Sequence, residues 1–392
     1  MTREKIGFEV VHPLTRERIE EQRRRIGMKF ARRTRWAHWQ DISDILNAIG
    51  DPNPLWNDAE YARGTRYGRP VAPPYFLVRV WAGAPIHGLR GVQVMVGGAS
   101  WEYYKPVLED DMVTAECTFV DLEEKGSAFS QLWLIEHYDI TFHNQRGELV
   151  ALQRAHMLRW ERGEMDKGLK RTDKARGTPM PHPWTKEELR QIEDEVLAEL
   201  DNIRGSTPRY WEDVNVGHTL PELVRGPRRI SDIVSEALMV NLMKSGTLGV
   251  MQLRRHPGYT FYHPDTRANE HIEVIHWDKL TALHLGFAYP YDWGSVRQCW
   301  TMEAVANWIG DDGWLKRNAA QARRPVYLSD VLRVKGTVTR KYIDEDGDCC
   351  VDIELSTVNQ RGDNVMPAQA TAALPSRERG TWPVAKRLPA KE

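Results

Sequence analysis

Cysteine is scarce. The 392 residues hold four, Cys117, Cys299, Cys349 and Cys350, and no two are spaced C-x-x-C. That argues against a zinc ribbon, a thioredoxin-type redox motif and a disulfide framework. Adjacent Cys349 and Cys350 would point to opposite faces of a strand, and all four read as reduced thiols of a cytoplasmic protein. Long apolar runs are lacking too: none approaches the ~20 residues of a membrane helix. The opening stretch MTREKIGFEVVHPLTRERIEEQRRR has no apolar signal core, so the expected location is cytoplasmic, with no membrane partner. An excess of either charge is also missing. Lys and Arg number 54 against 55 Asp and Glu, a net charge of −1, which argues against a nucleic-acid partner. With 41% hydrophobic and 28% charged residues, a disordered chain is set aside. The length suggests roughly two to three domains at ~150 residues each and buries a core without staples.

What is present is an internal repeat. NQRG occurs at Asn144–Gly147 and again at Asn359–Gly362, 215 residues later, each time between β-rich segments. Upstream, YKPVLEDDMVTAECTFV resembles RRPVYLSDVLRVKGTVT, with Pro106 matching Pro325 and Asp111 matching Asp330. That offset is 219, so the first copy carries about four extra residues in a hairpin. Two matched blocks in the same order indicate a duplicated domain.

Each copy pairs helical periodicity with alternating segments. Ile42, Ile45, Leu46 and Ile49 share a helix face, and Gly50 is a natural stop. Strands are expected near 92–97, 112–121, 129–143 and 148–160, then near 331–341, 349–358 and 364–373, with a helix from about Val296 to Ile309. Between the copies, Lys, Arg, Gly and Pro clusters such as MDKGLKRTDKARGTPMPHP read as linker. One helix is signalled inside it: Thr185 with Glu188 forms a capping box, Trp184 with Leu189 a staple, and Leu189, Ile192, Val196 and Leu200 one stripe. The expected organisation is an N-terminal domain 1–160, a linker 161–208 holding a helix 185–200, a C-terminal domain 209–376 and a tail 377–392. The class is α+β.

The segment IGDPNPLWNDAEYARGTRYGRPVAPPYF, Ile49 to Phe76, resembles the signature of the MaoC-like dehydratase and R-specific enoyl-CoA hydratase family. It carries Gly50-Asp51-x-Asn53-Pro54-Leu55, Tyr61-Ala62 and Ala72-Pro73-Pro74. Tyr291-Asp292-Trp293-Gly294, Arg297, Asn307-Trp308 and Gly310-Asp311-Asp312-Gly313-Trp314 resemble the C-terminal half of double-hotdog acyl dehydratases. Together these matches span roughly residues 30–376. The resemblance implies a double hotdog: two antiparallel sheets, each wrapping a central helix, side by side in one continuous surface. It also implies addition or removal of water across the α,β double bond of an acyl thioester, without metal or cofactor. An acyl-CoA partner and a homodimer or higher even oligomer follow from it.

The sequence departs from the family's D-x-N-P-x-H. Trp56 stands where the histidine belongs, and an indole cannot take a proton from water. In the second half His276-Trp277-Asp278 resembles the histidine end, but His271 occupies the aspartate position. On this resemblance the first half is degenerate and His276 is the proton-transfer residue. Asp292 and Glu273 are the nearest carboxylates to serve as its partner. Gly294, at the N-terminus of the central helix, would let backbone N–H groups meet a thioester oxygen. Trp293, Arg297 and Asn53 complete the expected substrate contacts. Asp51 is a catalytic candidate, but DPNP is turn chemistry in any protein, and a backbone-bonding role competes. His276 also has a reading as a satisfied core histidine. His256, His263, His271, His276 and His284 crowd this half, but the five-residue spacing of His271 and His276 is wrong for two metal ligands on one helix face. The basic run Arg23, Arg24, Arg25, Arg32, Arg33 and Arg35 reads as a solvated face, and Asp311-Asp312 as a loop ordering the domain interface. Two other functions remain open: a non-catalytic thioester-binding hotdog or partner subunit, and a lyase or hydrolase of another reaction class on the same fold.

Overall fold

The two NQRG turns are superimposable down to their hydrogen bonds. Asn144 Oδ1 accepts from the backbone N–H of Arg146 and Glu148, each at 3.0 Å, and Asn359 Oδ1 does the same for Arg361 and Asp363. The glycine of each turn has positive φ, 76° at Gly147 and 80° at Gly362, where a side chain would be strained. The glutamine of each turn reaches back to the matched aspartate. Gln145 Nε2 donates to Asp111 and Gln360 Nε2 to Asp330, both at 2.8 Å. Those aspartates in turn accept from the backbone of Leu108 and Tyr327. The sequence repeat is thus a repeat of turn chemistry that fixes strand register twice.

This is a computed structural model, which describes residues 13–81, 87–126, 132–162, 180–240, 243–263, 265–285 and 287–388. Part of the expected linker (163–179), residues 129–131 of one expected strand, and the ends 1–12 and 389–392 lie outside the described residues. The first half supplies strands β1 (Arg33–Trp36), β2 (Gln93–Tyr103), β3 (Met112–Lys125), β4 (Trp133–His143) and β5 (Leu149–Trp160). The second supplies β6 (Leu223–Arg225), a short hairpin β7 (Thr260–Tyr262) and β8 (Asn269–His271), then β9 (Trp314–Gln321), β10 (Leu332–Ile343), β11 (Cys349–Asn359) and β12 (Asn364–Ala373). Ten of these form one antiparallel sheet in the order β1-β3-β4-β5-β2-β9-β12-β11-β10-β6, a palindrome about its centre. The halves join where β2 pairs with β9, from Gly98 opposite Gln321 to Glu102 opposite Arg317. The extra residues of the first copy fall in the β3–β4 hairpin, where β3 has 14 residues against 12 in β10.

Four helices frame the sheet and its functional surroundings. α1 (Trp39–Ile49) buries Ile42, Ile45, Leu46 and Ile49 and stops at Gly50, φ 82°, as its periodicity requires. α2 (Lys186–Leu197) carries the capping box of Thr185 and Glu188; Ile192, Trp184 and Val196 pack on Val224 and Val331. It ends earlier than the stripe suggested. Ala198 breaks the phase, so Leu200 is exposed and Glu199 is buried instead. α3 (Ile230–Val240) packs on α1, and α4 (Gly294–Ile309) is the central helix of the second half, with 14 of 16 residues buried. Among the described residues, the first half has no helix of that length at the corresponding place. After Pro73-Pro74 the helical turn runs only from Leu77 to Val80 before Trp81 becomes extended.

Three expectations outside the site are settled by contacts. Arg23, Arg25, Arg32 and Arg35 of the basic run pair with Glu124, Glu21, Glu116 and Asp41, the signature of a solvated surface. Asp311 accepts from Tyr61 at 2.8 Å and Asp312 pairs with Arg66 at 2.7 Å, so this loop ties the halves together. All four cysteines are free and buried.

Candidate active site

The chain between β8 and α4 folds back so that a 3₁₀ turn, Ile272–His276, faces the segment entering the central helix. A 3₁₀ turn has three residues per turn, so side chains three apart eclipse. Glu273 and His276 are three apart, and Glu273 Oε2 lies 3.2 Å from His276 Nε2. The other imidazole nitrogen, Nδ1, is 2.7 Å from the Tyr291 carbonyl oxygen. A carbonyl only accepts, so Nδ1 carries a proton and Nε2 is the nitrogen left for chemistry. Trp293 lies against the imidazole at 3.8 Å between ring centroids and Tyr291 meets it edge-on at 4.7 Å. Burial pushes the Glu273 carboxyl up; the hydrogen bond and charge of His276, with His271, outweigh it, and Glu273 is held below its ordinary range. The pair therefore holds the Glu273 carboxylate beside the His276 ring. It sits just under the surface, with the Glu273 side chain 17% and His276 8% exposed.

α4 starts beside this pair. Its N-cap, Trp293, makes no side-chain cap hydrogen bond, so the first-turn N–H groups are not met by a capping side chain. Asp292, expected as the partner of His276, is fully buried and ion-paired with Arg297 at 2.8 Å. Burial drives its carboxyl up, and Arg297 and then Arg228 oppose that. Arg297 is committed as well: its Nη1 donates to the carbonyls of Arg324 and Val365. The carboxylate that meets His276 is thus Glu273, while Asp292 and Arg297 brace the entrance of the helix. Gly294 has ordinary φ, and a Cβ there would meet nothing closer than 3.7 Å, so the fold itself does not require glycine.

Asp51 and Asn53 lie elsewhere. Asn53 meets Asn307, near the far end of α4, about 20 Å along the helix from Trp293 at 1.5 Å per residue. Asp51 accepts from the Asn53 backbone at 2.8 Å and from the Tyr75 hydroxyl at 2.5 Å. Asn53 caps the next turn through Leu55 N–H and donates to Asn307 at 2.8 Å. Asn307 in turn donates to Glu199, and Glu199 and Glu303 both receive Arg225. Burial pushes Asp51 up to about 6, against the Tyr75 and Asn53 hydrogen bonds. It drives Glu303 well above its ordinary range despite Arg225. Trp56 is buried and lines an apolar cavity of about 50 Å³ with Pro73, Pro74, Leu77 and Trp314. Sequence reasoning missed Tyr75, Arg225, Glu199 and Glu303 here; only Tyr75, one residue past the proline pair, had a local signal.

This arrangement has a pH consequence. Asp51 titrates near 4 in an unfolded chain and near 6 in the fold, so the native state binds the extra proton. Its contribution to stability is full below about pH 4 and is lost as pH rises through 6. The loss is at most about 3 kcal/mol. Asp51→Asn keeps the shape and lacks the titration: its amide oxygen accepts from the Asn53 N–H, and its amide nitrogen donates to the Tyr75 hydroxyl. Denaturant unfolding at pH 4 and pH 7 is expected to show the wild type losing stability relative to this variant; parallel behaviour would contradict the assignment.

Of the other histidines, His263 accepts from the backbone of Asp265 and Thr266 and approaches Asp278 at 3.4 Å, and His271 caps the Glu273 turn. Among the described residues, one group of three carboxylates could hold a metal, Asp344, Asp346 and Asp348. The Lys316 ammonium already lies among them.

Comparison with known proteins agrees with this fold. The family described as FAS1-like, dehydratase domain region, matches residues 24–153. A UPF0336 protein of Parafrankia sp. (strain EAN1pec) is 31% identical over 119 residues, 29% of this chain and 76% of the relative. A UPF0336 protein of Streptomyces avermitilis is 30% identical over 91 residues, 21% of this chain and 61% of the relative. Among solved structures, a MaoC-like dehydratase superposes with a TM-score of 0.61 at 14% identity, covering 89% of this chain and 98% of its own. A conserved hypothetical protein of Mycobacterium tuberculosis with a double hotdog fold superposes at 0.54 and 12% identity, covering 89% and 96%. At those identities the likeness concerns the fold.

Proposed function

The chain belongs to the UPF0336 family and has the double hotdog fold of MaoC-like dehydratases, and from that premise we propose that it hydrates or dehydrates an acyl thioester at Glu273 and His276. The observation that carries this reading is the 3.2 Å contact between these two side chains beside a helix N-terminus without a side-chain cap. Hydration of an enoyl thioester needs a base for water and an acid for the α-carbon. Glu273 takes a proton from water as the oxygen bonds to the β-carbon, and His276 Nε2–H delivers a proton to the α-carbon. Glu273 then returns its proton to Nε2 across their contact, which restores the pair; dehydration runs the same steps backwards. The negative charge that develops on the thioester oxygen is met by backbone N–H groups of the first turn of α4. Trp293 and Tyr291 hold the imidazole in place. The first half contributes no acid–base pair on this reading, because Trp56 replaces the histidine and Asp51 is engaged by Tyr75 and Asn53.

The assay is loss of enoyl absorbance with crotonyl-CoA. Gly294→Ala probes the helix entrance within it. Since an added Cβ meets only ordinary contacts at 3.7 Å, thermal melting is expected to stay unchanged. Turnover is expected to fall roughly tenfold to a hundredfold, because a displaced carbonyl loses its alignment. Unchanged turnover would place the thioester oxygen elsewhere.

A further inference from the structure

A narrow cavity of about 20 Å³ lies between α4 and the paired strands β2 and β5. Ser295, Gln298 and Met302 line it from the helix, at intervals of three and four that share one face. Val96 of β2 with Met157 and Gln153 of β5 line it from the sheet. One end adjoins the proposed site. Ser295 follows Gly294 in the first turn of α4, and a Cβ on Gly294 would lie 3.7 Å from Val96. From Ser295 to Met302 the helix rises about 10 Å. The two glutamines of the lining differ. Gln298 Nε2 donates to the Ala99 carbonyl at 2.8 Å and to Asn318 Oδ1 at 3.0 Å. Gln153 is 5% exposed, and its Oε1 is buried with no donor among the described residues. A buried acceptor without a donor destabilises a fold, and an apolar side chain would fill this place without that cost.

We propose that Gln153 selects an acyl thioester whose chain carries a hydroxyl group. The inference rests on the activity proposed above: with the thioester oxygen at the first turn of α4, the acyl chain has this cavity beside it. The space only slightly exceeds the roughly 10–15 Å³ of one water-sized group, so it takes a slender chain end. A hydroxyl both donates and accepts, so it pairs with the Gln153 amide whichever way that amide is turned. A carboxylate or ammonium has no counter-charge here, because every described lining residue is uncharged. A methyl in place of the hydroxyl leaves Oε1 without a donor, which is how a polar pocket rejects an apolar isostere.

The test compares kcat/KM within two matched pairs, 4-hydroxybut-2-enoyl-CoA with pent-2-enoyl-CoA and 6-hydroxyhex-2-enoyl-CoA with hept-2-enoyl-CoA. Each pair sets a hydroxyl against a methyl. The wild type is expected to favour the hydroxylated ester of at least one pair roughly tenfold or more. Gln153→Met, of similar shape and without the amide, is expected to lose that preference or reverse it. Each readout is a ratio within one protein, so lower stability of the variant does not distort it, and the wild-type ratios decide without any variant. Turnover of these esters with no such preference overturns the inference and leaves the activity standing. So does a preference that Gln153→Met retains. Turnover of none of them, crotonyl-CoA included, overturns the activity and this inference with it.

Discussion

His276→Ala is expected to lower turnover of crotonyl-CoA by a hundredfold or more, the usual contribution of a positioned acid–base group, while the melting temperature changes little. Three contacts motivate the size. Nδ1 is fixed on the Tyr291 carbonyl, Nε2 faces Glu273, and Trp293 packs against the ring. A histidine that only filled space would not need a carboxylate at 3.2 Å. The imidazole is 8% exposed at the side chain, so its removal opens a small cavity near the surface rather than emptying the core. The variant is to be assayed beside a melting curve. Equal turnover with an intact fold would return His276 to the role of a satisfied core histidine.

The second large effect concerns stability. Arg225→Ala is expected to destabilise the protein by roughly 3–5 kcal/mol at neutral pH. Arg225 is the cation shared by Glu199 and Glu303, and it also reaches the Gly50 carbonyl. Its loss leaves buried acidic side chains of three remote segments, Asp51 among them, without their shared cation. Glu303→Gln serves as the control: burial already favours the protonated acid there, so the amide is expected to cost about 1 kcal/mol or less. Denaturant unfolding of both variants measures the difference. An Arg225→Ala no worse than Glu303→Gln would mean that the cluster is not held by that cation.

Much of the fold was legible because its signals are local. The NQRG turns, the Gly50 stop and the Thr185–Glu188 box depend on residues a few positions apart, and each stands where its chemistry put it. Strand β9 was not legible. Its sequence, WLKRNAAQ, reads as a polar connection, and it is a strand because β2 of the other half and β12 pair with it. The long central helix was expected once per half, and among the described residues it is seen in the second half. Ile42 to Ile49 did give a helix, although one that packs on α3. At the site, His276 stood out through its HWD context, and Asp292, beside Gly294 at the expected helix entrance, was preferred to Glu273 as its partner. The 3₁₀ turn decides between them by eclipsing Glu273 with His276, whereas Asp292 faces Arg297. The surroundings of Asp51 were illegible for the reason that β9 was: Arg225, Glu199 and Glu303 come from segments that meet only in the folded chain.

The claim that chemistry belongs to the second half is tested most directly by crotonyl-CoA turnover of Glu273→Gln beside Asp51→Asn, each with a melting curve. Glutamine keeps the shape of Glu273 but cannot take a proton from water. The expected result is a loss of a hundredfold or more for Glu273→Gln and turnover near wild type for Asp51→Asn, with both proteins folded. The reverse pattern, an active Glu273→Gln and an inactive but folded Asp51→Asn, would place the active site in the first half and contradict the account.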